Sequence, residues 1–189
     1  MMRSPEAVTR APFFASVSQI PWVRFALVGL AFYAVWFVVY DLWLLPQGSL
    51  DAALSHGVAR TSGFLAGLVG LPAEVAGRVV RLEGSEGVYI EDGCNGLSTL
   101  GLFVGFVIAY PGAWRRRWVY LAFGVATVLV ANVLRVVGLV ALQAYWPSAF
   151  DAVHTFGATT FFYVVVFGLW VGWAHYGGGP GTNERPARP

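Results

Sequence analysis

The sequence predicts an all-α integral membrane protein: about four transmembrane helices, an interfacial or re-entrant helix and a short extracytoplasmic β-hairpin. Composition is the first reason. Of 189 residues, 57% are hydrophobic and only 12% are charged, about half the charged share of a soluble domain. The second reason is the recurrence of apolar runs long enough, or nearly so, to cross a hydrocarbon core about 30 Å thick. The third is the distribution of the twelve basic residues, all arginine, many of which gather at one set of run ends.

Residues 25–45 form the first run, broken only by Asp41 and closed by Pro46. The run exceeds the apolar core of a signal peptide and no A-x-A-type cleavage site follows, so it reads as a retained anchor. Residues 49–71 carry Asp51, His56 and Arg60 in their first half, and the apolar stretch 63–71 is too short to span. An interfacial or re-entrant helix fits that pattern. In residues 73–93, the β-prone runs 78–82 and 88–90 flank Glu83-Gly84-Ser85-Glu86-Gly87 and predict a hairpin leading straight to Cys94. Three more apolar runs follow at 97–110, 118–142 and 155–173. Residues 1–176 are expected to form one membrane-embedded domain, and residues 177–189, rich in Gly, Pro and Arg, a disordered cytoplasmic tail.

Charge sets the expected orientation. Arg115-Arg116-Arg117 lies in a predicted tight loop, Arg3, Arg10 and Arg24 precede the first run, and Arg185 and Arg188 follow the last. Such clusters stay cytoplasmic. Keeping all three groups on that side requires four crossings, with residues 49–71 not crossing. The same topology sends Cys94, at the start of the second span, and His154, at the start of the fourth, to the opposite face. Arg135 is then expected about two turns, roughly 10 Å, below that face in the third span.

Three residues stand out chemically. Cys94, in Glu91-Asp92-Gly93-Cys94-Asn95-Gly96-Leu97, is predicted at a helix start, where unpaired N–H groups favour a thiolate. Gly96 and Gly93 beside it allow close approach of a substrate backbone. Glu91 and Asp92 would oppose a thiolate, so a cation must outweigh them. Arg135 could be that cation, since an arginine within a span is costly and marks function when it faces the protein interior. Asn132, three residues earlier on the same helix face, is expected to orient it. His154 follows Asp151 and could exchange a proton with the thiol and a leaving amine. Each has a plainer reading as well: a small buried hydrophobe, a snorkelling arginine, an interfacial histidine. His56 and His175 are read as ordinary interfacial residues.

Other signals exclude classes of function or add little. The one cysteine excludes an internal disulfide and a multi-cysteine zinc site, and no metal is expected. A net charge of +2 without a basic, aromatic-interleaved stretch argues against nucleic acid. No nucleophile elbow, H-E-x-x-H or P-loop occurs. Gly101-x-x-x-Gly105 permits close helix packing.

Taken together, Cys94-Asn95-Gly96-Leu97, Asn132-x-x-Arg135 in a later span, His154 opening the last span and the approach strand Val88-Tyr89-Ile90 resemble the exosortase/archaeosortase family. The resemblance covers residues 77–168. Asn95 stands where serine is common, and the chain is shorter than a typical exosortase, so it looks like a compact subtype. The resemblance implies a membrane cysteine transpeptidase that cleaves membrane-anchored proteins near a C-terminal sorting signal through a thioester acyl-enzyme. Carried over, Cys94 is the nucleophile, Arg135 its electrostatic partner and His154 the general acid/base, with Asn132, Asn95 and Gly96 in support. No cofactor is implied. The implied partners are membrane-anchored substrates and the bilayer, and the implied setting is multi-pass in the inner (cytoplasmic) membrane with an extracytoplasmic active site. A non-catalytic membrane assembly or export subunit and a purely hydrolytic protease stay open, as does the oligomeric state.

Overall fold

The structure, a computed structural model, describes residues 20–177. Arg3, Arg10, Arg185, Arg188 and nearly all of the expected disordered tail lie outside the described residues. Helix α1 (Pro21–Gln47) opens with proline in its first turn, where the missing N–H costs no hydrogen bond, and winds as a π-helix over Phe37–Leu44. Gly48, at φ 65°, ends α1 and starts α2 (Ser49–Leu68). That left-handed conformation suits a residue without a Cβ. Strands β1 (Ala73–Ala76), β2 (Val79–Leu82) and β3 (Val88–Tyr89) follow, then α3 (Leu97–Ala109), α4 (Trp114–Tyr145) and α5 (Pro147–Tyr176).

Helices α1, α3, α4 and α5 form an up-and-down bundle. Phe25 packs its ring on Phe106 and Tyr110 at one end of α1, while Trp36, three turns on, faces Gly101. Phe103 of α3 fills the space beside Gly124 of α4. The Tyr120 hydroxyl donates to the Leu169 carbonyl across α4 and α5 at 2.6 Å. Phe103, Val107, Leu121, Val128, Phe162, Leu169 and Trp173 form the core of this bundle. Outside it, Leu30, Val119, Val130, Val164 and Phe167 are exposed, an apolar exterior that only lipid would satisfy.

One end of the bundle is basic. Arg116 donates to the Tyr176 carbonyl and Arg117 to the Tyr110 carbonyl, at 3.3 and 3.2 Å. The arginine triplet is not in a loop as expected: it belongs to the first turn of α4. Cations there oppose the helix dipole, and the carbonyls at the ends of α3 and α5 compensate.

The other end carries α2 and the sheet. The strands run antiparallel in the order β1-β2-β3, with Ala73 opposite Leu82 and Val79 opposite Tyr89. The fold is therefore not purely α, and the sheet has one more strand than the predicted hairpin. Val80, Leu82, Val88 and Ile90 pack against Val58 and Ala59 of α2 and Val136, Leu139 and Val140 of α4. Helix α2 begins beside Asn95 and ends against β1, where Gly63 meets Val75, so it stays at this end.

Length supports three of the four expected spans. Among the described residues three helices, α1, α4 and α5, are long and apolar enough to cross a membrane. Helix α3 has 13 residues and reaches about 20 Å, short of a hydrocarbon core of about 30 Å. Helix α4 also runs past the predicted end of its run to Tyr145, which sets Arg135 about 15 Å below that helix end rather than two turns.

Candidate active site

Cys94 closes a 3₁₀ turn (Asp92–Cys94), and the next helix begins only at Leu97 with Gly96 as its N-cap. The thiol therefore lies ahead of the helix start, not on it. The first α3 amide is also already engaged, since Leu97 N–H donates to Asn95 Oδ1 at 2.9 Å. What faces the sulfur is a guanidinium: Arg135 Nη2 donates to Cys94 Sγ at 3.6 Å. Arg135 also lies over the Phe162 ring, 5.2 Å from its centroid, so its charge is held against an aromatic face instead of snorkelling to the nearest interface.

Among the described residues Asn132 makes no hydrogen bond to Arg135. It is fully buried and donates from Nδ2 to the Cys94 carbonyl at 3.1 Å, fixing the peptide that carries the thiol. Gly96 adopts φ 86°, and a Cβ there would sit 3.3 Å from Asn132 Nδ2. Glycine is needed both for that backbone and for the close approach.

The acidic residues beside Cys94 are managed separately. Arg78 of the β1–β2 turn holds Asp92 at 2.6 Å, and the same hydrogen bond raises the Arg78 guanidinium above its ordinary pKa. Glu91 points outward and is exposed.

His154 is the residue the geometry leaves apart. It sits half-buried in a π-wound turn (Val153–Gly157) of α5, its ring stacked on Phe150 with centroids 5.5 Å apart. Among the described residues it makes no hydrogen bond to Cys94 or Arg135. It shares their end of the bundle, because Phe150 and Cys94 pack against the same apolar cluster.

A buried carboxylate and a cleft, neither evident in the sequence, complete the neighbourhood. Asp51 of α2 is fully buried and accepts at Oδ1 from Asn95 Nδ2 (2.6 Å) and the Tyr40 hydroxyl (2.9 Å). The available signal was a carboxylate between Leu50 and Ala52-Ala53-Leu54, a flanking too apolar for a solvated acid. A cleft of about 270 Å³ between α3 and α5 reaches Arg135 and is lined by Gly93, Ser98, Thr99, Thr159 and Tyr163 among others. It offers four hydroxyls and a guanidinium within an otherwise apolar bundle.

Fold and site together describe an integral membrane protein in which a loop cysteine, held by buried amides, meets an arginine carried deep in a helix. A family model for transmembrane exosortases (Exosortase_EpsH) matches residues 8–171. The chain belongs to that family, and the match extends the resemblance back through α1 and α2. No curated protein and no solved structure matches it.

Proposed function

We propose that this chain is a membrane cysteine transpeptidase or protease that cleaves membrane-anchored proteins at a C-terminal sorting signal. Exosortase membership supports the class of reaction, and one observation supports its chemistry: Arg135 Nη2 lies 3.6 Å from Cys94 Sγ. An arginine is always charged and donates to sulfur without giving up its proton, so it stabilises the thiolate form that attacks carbonyls.

The reaction proceeds in two halves. Cys94 Sγ attacks the carbonyl carbon of the scissile peptide, and negative charge develops on the carbonyl oxygen. The Arg135 fork has N–H groups to spare for that oxygen; its Nε is buried and unpartnered among the described residues. The C–N bond then breaks, a thioester remains on Cys94, and the leaving amine takes a proton from His154. An amine or water attacks the thioester, gives its proton back to His154, and frees Cys94 as the thiolate that began the cycle. Because His154 is not hydrogen-bonded to Cys94 in the structure, it must approach when substrate enters, which a π-wound turn at the head of α5 allows.

Residues 1–176 act as one membrane-embedded domain and 177–189 as its cytoplasmic tail. Helices α1, α3, α4 and α5 provide four crossings, with α3 recruiting its flanks, in the inner membrane. The basic end is cytoplasmic by the positive-inside rule, and Cys94 faces the extracytoplasmic side. The α3–α5 cleft admits the substrate laterally, and sharing a membrane with the enzyme raises the substrate's effective concentration.

The test is a covalent one. A thiol-directed probe should label Cys94 in the purified wild-type protein, and Cys94→Ala should abolish both labelling and substrate processing while insertion is unchanged. Processing that survives Cys94→Ala would instead identify a non-catalytic assembly or export subunit. Mass spectrometry of the product's new C-terminus separates an attached acceptor from a free acid, and so transpeptidation from hydrolysis.

A further inference from the structure

A carboxylate with no solvent exposure inside a membrane protein is costly unless donors satisfy it. Asp51 has two, both on Oδ1, while its Oδ2 is buried without a partner among the described residues: the donors are the Tyr40 hydroxyl from α1 and Asn95 Nδ2 from the cysteine loop, 44 residues away in sequence. Asn95 is itself buried and uses the other end of its amide, Oδ1, to accept from Leu97 N–H. The two ends of an amide are chemically opposite, one donor and one acceptor. With its Nδ2 donating to Asp51 Oδ1, the Asn95 amide turns its Oδ1 to the Leu97 N–H at the first residue of α3, so the two contacts together fix which way the amide faces. On the far side of the same loop, Asn132 holds the Cys94 carbonyl. The peptide carrying Cys94 is thus gripped from α4 on one side and, through Asn95, from α2 on the other.

We infer that Asp51 is a positioning residue: by fixing the Asn95 amide it sets the Cys94 loop at the height where Sγ meets Arg135. The inference rests on Cys94 being the reactive thiol. It gives α2 a role in the site that neither its polarity nor its distance in sequence announces. Tyr40 shares the carboxylate but, among the described residues, makes no hydrogen bond to residues 91–96, and this separates positioning from simple stapling of helices.

The test uses the full chain in detergent or proteoliposomes, with a maleimide as the probe and thermal unfolding measured in parallel. Asp51→Ser, too short to reach Asn95, should slow Cys94 alkylation by about tenfold or more, the effect of about 1.4 kcal/mol on a barrier. Asp51→Asn, whose amide oxygen still accepts, should stay within about threefold of wild type. Tyr40→Phe should lower the unfolding temperature without slowing alkylation. The inference is overturned if Asp51→Ser alkylates at the wild-type rate, or if alkylation in Asp51→Ser and Tyr40→Phe falls only in step with stability. Should Asp51→Ser not fold, Asp51→Glu, whose extra methylene displaces the acceptor, is read in the same way, and a wild-type rate there is equally fatal. If wild-type Cys94 is itself unreactive and indifferent to Arg135→Gln, the enzymatic reading has failed; if it is reactive and only the Asp51 variants are silent, this inference alone has failed.

Discussion

At the scale of single residues, the centre is a sulfur and a guanidinium whose contact depends on fixed geometry on both sides. Arg135 is steadied by the Phe162 ring, and the Cys94 peptide by Asn132. Arg135→Gln should reduce the rate of Cys94 alkylation near neutral pH by about tenfold or more, and Arg135→Lys should recover only part of it, because an ammonium lacks the planar fork. A stopped-flow or mass-spectrometric alkylation series measures both. Gly96→Ala should also slow alkylation, since a Cβ at φ 86° is strained and would press on Asn132 Nδ2. The direct cost in stability is about 1–2 kcal/mol, readable as a lower unfolding temperature.

At the scale of elements, helix contact is decided by where large rings meet missing side chains. Phe32, Trp36 and Tyr40 form a ladder along α1 at helical spacing, with ring centroids 6.2 and 5.1 Å apart. The first two rungs lie on Gly105 and Gly101 of α3, and the third reaches Asp51. The glycine pair is thus occupied by the chain's own first helix. Gly101→Leu should force Trp36 aside, loosen α1 from α3 and cost about 1–3 kcal/mol by overpacking. Thermal unfolding in detergent checks the size of the effect. Gly138 of α4, where an added Cβ meets nothing within 4 Å, is the matched control and should tolerate leucine.

At the scale of the whole molecule, polarity along the bundle axis is the organising feature. Arginines bonded to the ends of α3 and α5 mark one end, and the sheet, α2 and Cys94 mark the other. Once Cys94→Ala has removed the native thiol, single cysteines report orientation directly. Glu86→Cys, on the exposed β2–β3 turn, should react with a charged, membrane-impermeant maleimide on intact cells. Ala113→Cys, beside the arginine triplet, should react only after permeabilisation. The reverse pattern would invert the proposed topology and put the thiol on the cytoplasmic side.

The sequence by itself determined the membrane class, the positions of the apolar helices, the basic end, and Cys94, Arg135 and His154 as residues to watch. Each of these follows from transfer free energies or local chemistry that accumulate along the chain, so a linear reading captures them. Only the tertiary structure decided that Arg135 faces the sulfur, that Asn132 serves the Cys94 backbone, that Arg78 takes up Asp92, and that Asp51 is buried under Asn95. These are pairings between residues 14 to 44 positions apart, set by how each helix is rotated about its axis. The third strand and the shortness of α3 belong to the same category: strand pairing and helix ends depend on what packs against them, and no single segment contains that information.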